Sequence, residues 1–158
     1  MPNQILEPNW RIDVKKLQDL VSLFEQRYSG RPDIIKPDVV AREFIPSLFE
    51  SIGWRNGWAN AFITPRGTRQ DLPYFDLELG REVKAVVFAY GEQTQTSLQV
   101  AADVAVATAY NLEVNWAVVT NFAKTTLYHS LQVARGARDK SPAGPPIAQY
   151  AFRDYTRA

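Results

Sequence analysis

The chain of 158 residues has no cysteine, which excludes disulfides and thiolate-held zinc. It has a single histidine, His129, and a lone imidazole at a strand end with no partner motif reads as structural or surface. An excess of one charge is missing as well. Eighteen Lys and Arg face 17 Asp and Glu, for a net charge of +1. The molecule therefore lacks the basic footprint of a nucleic-acid-binding domain that works alone, although a cleavage module whose DNA affinity comes from elsewhere is not excluded. No apolar run approaches the roughly 18 residues of a membrane helix. The opening MPNQILEPNW has no basic segment followed by an apolar core. A soluble, cytoplasmic protein is the expectation. A phosphate-binding glycine loop, a nucleophile elbow and an internal repeat are also missing.

What is present is ordinary globular composition, 46% apolar and 22% charged, in a length that suits one domain. Residues 1–158 are expected to form that domain, with an N-terminal helix within 1–30 and a core over 38–155. Val14, Leu17, Leu20, Val21 and Phe24 recur at helical spacing over 12–28, and Gly30, Arg31 and Pro32 should end that helix. A second helix is expected over 38–52, with Asp38 as N-cap, Gly53 as stop and a kink at Pro46. Residues 60–65 read as a first strand and Arg66-Gly67 as a turn. Pro73 argues for a short, early-bending strand after it. The alanine-rich stretch 93–110 reads as a helix buried against a sheet. Residues 116–121 and 125–129 read as strands, 135–146 as a loop with basic Arg135, Arg138 and Lys140, and 147–155 as a last strand. Alternating helices and strands predict an α/β domain with a mixed central sheet flanked by helices.

The chemistry concentrates in GTRQDLPYFDLELGREVKAVVF, residues 67–88. Strand side chains alternate faces, so Glu82 and Lys84 should share one face while Val83, Ala85 and Val87 pack on the other. If the segment around Asp71 pairs antiparallel with this strand, its carboxylate can reach the same face. Two carboxylates hold a hard divalent ion, and an amine beside them can position or activate a water. Asp76 is the rival first carboxylate, although its short separation from Glu82 favours Asp71.

At these residues the sequence resembles the PD-(D/E)xK nucleases, and the N-terminal endonuclease domains of type I and type IIG restriction enzymes in particular. REFIPSLFESIGW at 42–54 is similar to the family's opening helix. WAVVTNF at 116–122 matches its Trp-led strand, and FRDY at 152–155 resembles the stretch before a helical connector. The resemblance implies a restriction-endonuclease-like core and a Mg²⁺-dependent endodeoxyribonuclease of the restriction-modification type, with Mn²⁺ as a substitute ion. Asp71, Glu82 and the Val83 carbonyl would hold the metal, Lys84 would orient the attacking water, and Glu43 and Gln99 would support the site. Asp103 stands where the family often has tyrosine. DNA is the implied partner, along with methyltransferase, target-recognition or helicase regions of a longer protein and a transient dimer on DNA. The chain's end at Ala158, shortly after FRDY, suits a fragment. A repair or mobile-element nuclease would use the same chemistry. The alternative is a catalytically inactive nuclease-fold interaction domain, with Glu82 and Lys84 as a surface ion pair.

Overall fold

The computed structural model describes residues 12–28, 36–54, 61–91, 95–130 and 145–156. Apolar residues at helical spacing form α1, Val14–Tyr28, which buries Leu17, Leu20 and Phe24 and leaves its charged face outward. The second helical stretch is broken into three parts: α2 at Pro37–Val39, a π segment at Val40–Phe44 and α3 at Ile45–Ser51. Lys36, not Asp38, is the N-cap, because Pro37 with its fixed φ starts the helix. Pro46 has no N–H to give, and the wide π turn in front of it, closed by Ile45 N–H to the Val40 carbonyl, absorbs the disruption. Gly53 ends the helix at φ +119, a conformation that suits glycine.

Among the described residues six strands follow: β1 Ala61–Arg69, β2 Leu72–Leu79, β3 Glu82–Ala89, β4 Trp116–Thr120, β5 Lys124–His129 and β6 Ala148–Ala151. They lie side by side in chain order, and every pairing is antiparallel except β3 with β4. That parallel step needs a long crossover. It is supplied by α4, Gln95–Asn111. The protein is thus α/β with a mixed sheet.

Two details depart from expectation. Arg66-Gly67 is no turn: β1 continues to Arg69 and absorbs Arg66 as a bulge, since Pro65 pairs with Phe75 and Gly67 with Tyr74. Pro73 does not shorten β2 either. It pairs only with Thr68 of β1, and pairing with β3 begins one residue later at Tyr74, so the missing N–H falls just outside the β2–β3 ladder.

The sheet separates two apolar clusters. On one face Leu17, Phe24, Phe44, Ile45 and Leu48 pack against Phe75, Leu77, Val87 and Val118. On the other, the alanines of α4 pack closely against Val86, Phe88, Ala117 and Val119. β3 is buried on both faces from Ala85 to Ala89, as a central strand should be. After β6, a 3₁₀ turn at Phe152–Asp154 returns the chain to the first cluster. There the Tyr155 hydroxyl meets the Phe122 carbonyl and Thr125 Oγ1, clasping the β4–β5 turn. Asn121 completes that turn: Nδ2 donates to the Gly91 carbonyl at 3.0 Å, and Oδ1 accepts from the Lys124 N–H at 2.8 Å. The loop expected over 135–146, with Arg135, Arg138 and Lys140, falls for the most part outside the described residues.

Candidate functional site

Two tight turns decide where the sequence-predicted site residues lie. β1 and β2 are joined by Gln70-Asp71, both in the left-handed region at φ 51° and 66°, the pattern of a two-residue I′ turn. β2 and β3 are joined by Gly80-Arg81, with Gly80 at φ 66°, the II′ pattern. Asp71 therefore precedes one end of β2, and Glu82 pairs with Leu79 at the other. The eight residues between span roughly 24 Å at about 3.4 Å per residue. The expectation that Asp71 and Glu82 share an ion is corrected by this register: one ion cannot bridge that distance.

Glu82 and Lys84 do come together, with Lys84 Nζ donating to Glu82 Oε2 at 2.6 Å on the surface. This bond, reinforced by the lysine's charge, holds the Glu82 carboxyl below its ordinary range. The expected alternation around them fails. Leu77 pairs with Ala85 and Glu78 with Val83, so Lys84 is the extra residue of a bulge. Val83 consequently packs with Val86 and Phe88, on the side opposite Ala85 and Val87. Its carbonyl belongs to a strand whose neighbouring carboxylate is already bound to Lys84.

Asp76 lies mid-strand and buried, its side chain 7% exposed. Arg66 Nε donates to its Oδ2 at 2.5 Å, and the other arm of the guanidinium reaches Glu78 Oε1 at 3.0 Å. The bulge in β1 aims Arg66 at both carboxylates. The bond to Asp76 in turn raises the arginine's pKa above its usual value. Oδ1 of Asp76 is buried and has no hydrogen-bond partner.

The supporting residues also hold structural positions. Glu43 sits in the π segment and accepts from Arg27 of α1 at 2.9 Å, with Arg42 at 3.9 Å, so it ties helix to helix. Gln99 is exposed on α4 and donates to Asp103 Oδ1 at 2.8 Å. His129 stacks edge-on against Trp116 with ring centroids 4.8 Å apart. Among the described residues no three Asp, Glu, His or Cys side chains gather to hold a metal ion. The Asp71, Glu82 and Val83 set does not fit Mg²⁺.

What stands near Asp71 is different chemistry. Tyr74 pairs with Phe88, so the register carries Leu72 level with Tyr90, at the C-terminal end of β3. Phe88, Ala89 and Tyr90 fill that end and are buried. Phe88 stacks on Tyr74 at 4.7 Å. Two cavities open around this end of the hairpin. One, of about 450 Å³, lies between Arg69 and Gln70 of the hairpin and Asp103, Thr108 and Asn111 of α4. The other, of about 350 Å³, lies between Lys36, Leu72, Tyr90 and Ser97. Burial raises the Tyr90 phenol well above its ordinary range, so it keeps its proton. Sequence reading overlooked both Arg66 and Tyr90. Arg66 was hidden because a bulge, not a turn, surrounds it. Tyr90 was hidden because an aromatic at the end of an apolar run reads as core.

Compared with protein-family models, with curated proteins and with solved structures, the chain finds no match.

Proposed function

We propose that this chain is a non-catalytic interaction domain built on a restriction-endonuclease-like core. The observation that carries the reading is the placement of Asp71 and Glu82 at opposite ends of β2, with Phe88, Ala89 and Tyr90 at the end of β3 nearest Asp71. Buried aromatic and methyl groups occupy the end of β3 where the Glu82 carboxylate and the Lys84 amine would have to stand to share an ion with Asp71. The core is supported by the antiparallel β1–β3 meander, the α4 crossover to parallel β4 and the helices on both faces. The role in interaction is supported by the two sheet edges, which differ. β1 carries Pro65, a bulge and Arg66 and Arg69, devices that discourage pairing. β6 has none of these: its four residues are uncharged, Tyr150 among them is exposed, and so is Ile147 just before them. An edge of that kind can take an added strand.

Cleavage of supercoiled plasmid in Mg²⁺ or Mn²⁺ tests the reading, with Mn²⁺ calorimetry alongside. The expected result is no nicking above that of the Glu82→Ala variant and no saturable Mn²⁺ binding. Metal-dependent cleavage that disappears in Asp71→Ala, Glu82→Ala and Lys84→Ala alike would overturn it in favour of a Mg²⁺-dependent nuclease.

A further inference from the structure

The cavity of about 350 Å³ at the C-terminal end of β3 combines three features that point to one kind of ligand. Tyr90 lines it, 2% exposed, and no described residue hydrogen-bonds to its hydroxyl. With no acceptor for it among the described residues, the phenol O–H can donate to a ligand that enters the cavity it lines. On one wall stands Lys36, exposed and with no ion-pair partner among the described residues. Its backbone is extended at the N-cap and is followed by Pro37 with its fixed φ. Another wall is the first turn of α4, where Ser97 lines the space. The start of this 17-residue helix carries the positive end of its dipole. Among the described lining residues Lys36 is the one that carries a charge, and Pro37, Leu72 and Val100 supply apolar surface.

We propose that this cavity binds a small ligand that places an oxyanion, carboxylate or phosphate, between the Lys36 ammonium and the Tyr90 hydroxyl and lays a compact apolar body against Leu72 and Val100. A cation and an O–H donor converging from two sides satisfy an oxyanion with charge-assisted hydrogen bonds. The volume lies at the small end of the range for organic-ligand pockets, which limits the body to about a single ring. The inference does not rest on the absence of catalysis. Asp71, Glu82 and Lys84 do not line the cavity, so the cleavage assay and the binding assay can fail separately.

The test is an amide-resolved NMR titration of the full chain with benzoate, phenyl phosphate, inorganic phosphate and, as a neutral ring, benzyl alcohol. Saturable shifts at Leu72, Gly91, Ser97 and Val100 are expected with benzoate, phenyl phosphate or both, and the preferred probe identifies the oxyanion. Lys36→Met should weaken that binding roughly tenfold and Tyr90→Phe several-fold. Because nothing described bonds to the hydroxyl, Tyr90→Phe removes the donor and leaves the packing intact. Affinities unchanged in both variants, equal binding of benzyl alcohol, equal binding of bare inorganic phosphate, or no saturation by either organic anion would each overturn the proposal.

Discussion

Arg66 has the least ordinary surroundings of any charged residue in the sheet. It lies at a bulge, half exposed, yet one arm of its guanidinium is the sole partner of a carboxylate sealed inside the strand. Removing the cation would leave the Asp76 charge buried and unpaired, a penalty larger than the net worth of the pair itself. Arg66→Met is therefore expected to destabilise by about 2 kcal/mol, a figure reduced for the partial exposure of the guanidinium. Glu78→Gln, which touches only the outer arm, should cost under about 1 kcal/mol. The double variant Arg66→Met, Asp76→Val should recover most of the loss, because an apolar β-branched residue suits a buried strand position. Urea denaturation of the three variants checks this, and a double variant no more stable than Arg66→Met would refute it. The sequence made the pairing of Glu82 with Lys84 readable, since both lie on one short strand. It could not show Arg66 with Asp76, because ten residues and a bulge separate them.

Turns decided how much of the candidate site could be foreseen. Leu79-Gly80-Arg81-Glu82 announces itself: a glycine first in a two-residue loop between apolar alternations is a hairpin signal. Arg69-Gln70-Asp71-Leu72 makes an equally tight hairpin with no glycine at all, so the reading placed its turn at Arg66-Gly67 instead. That misplacement moved Asp71 from a turn tip into a strand and brought it on paper to Glu82. The first helix, the alanine-rich helix and the strands expected over 116–121 and 125–129 were read within a few residues, because their periodicity needs no such decision. The last strand, expected over 147–155, ends instead at Ala151, where the 3₁₀ turn begins. The π turn before Pro46 and the bulge at Lys84 were not legible, since both follow from packing between elements. The strain at the hairpin tip yields a prediction. Gln70 and Asp71 hold φ values that asparagine and glycine adopt at little cost. Replacing the pair by Asn-Gly should stabilise the protein by about 1 kcal/mol or more in thermal or urea unfolding. If Asp71 were a metal ligand the same change would abolish ion binding, so one protein preparation serves both questions. A neutral or destabilising outcome would show that the Asp71 side chain makes a contribution that its backbone does not reveal.

Across the whole molecule, one aromatic cluster joins elements that are far apart in the chain. Phe24 of α1 lies against Tyr28, Phe44 of the π segment, Phe122 of the β4–β5 turn and Phe152 of the last 3₁₀ turn, all at 4.8–5.6 Å between ring centroids. Phe44 also touches Phe122, and Tyr155 closes on Phe122 edge-to-face. The helical lead-in is therefore not an appendage to a separate core. Its buried side chains belong to the same cluster as Val87 and Val118 of the sheet. A single cooperative unfolding transition is the expected consequence. Phe24→Ala should cost about 3–5 kcal/mol by removing a fully buried ring from a packed site. That is a large share of the roughly 5–15 kcal/mol that holds a domain together. Phe24→Leu, which keeps most of the volume, should cost far less. The informative readout is a pair of probes on the same variant: far-UV circular dichroism for the helices and tyrosine or tryptophan fluorescence for the sheet side. Coincident midpoints, both shifted by Phe24→Ala, would show that α1, the β4–β5 turn and the C-terminal turn melt as one unit. A helical transition that moves alone, with the fluorescence midpoint unchanged, would show that α1 can leave while the sheet stays folded.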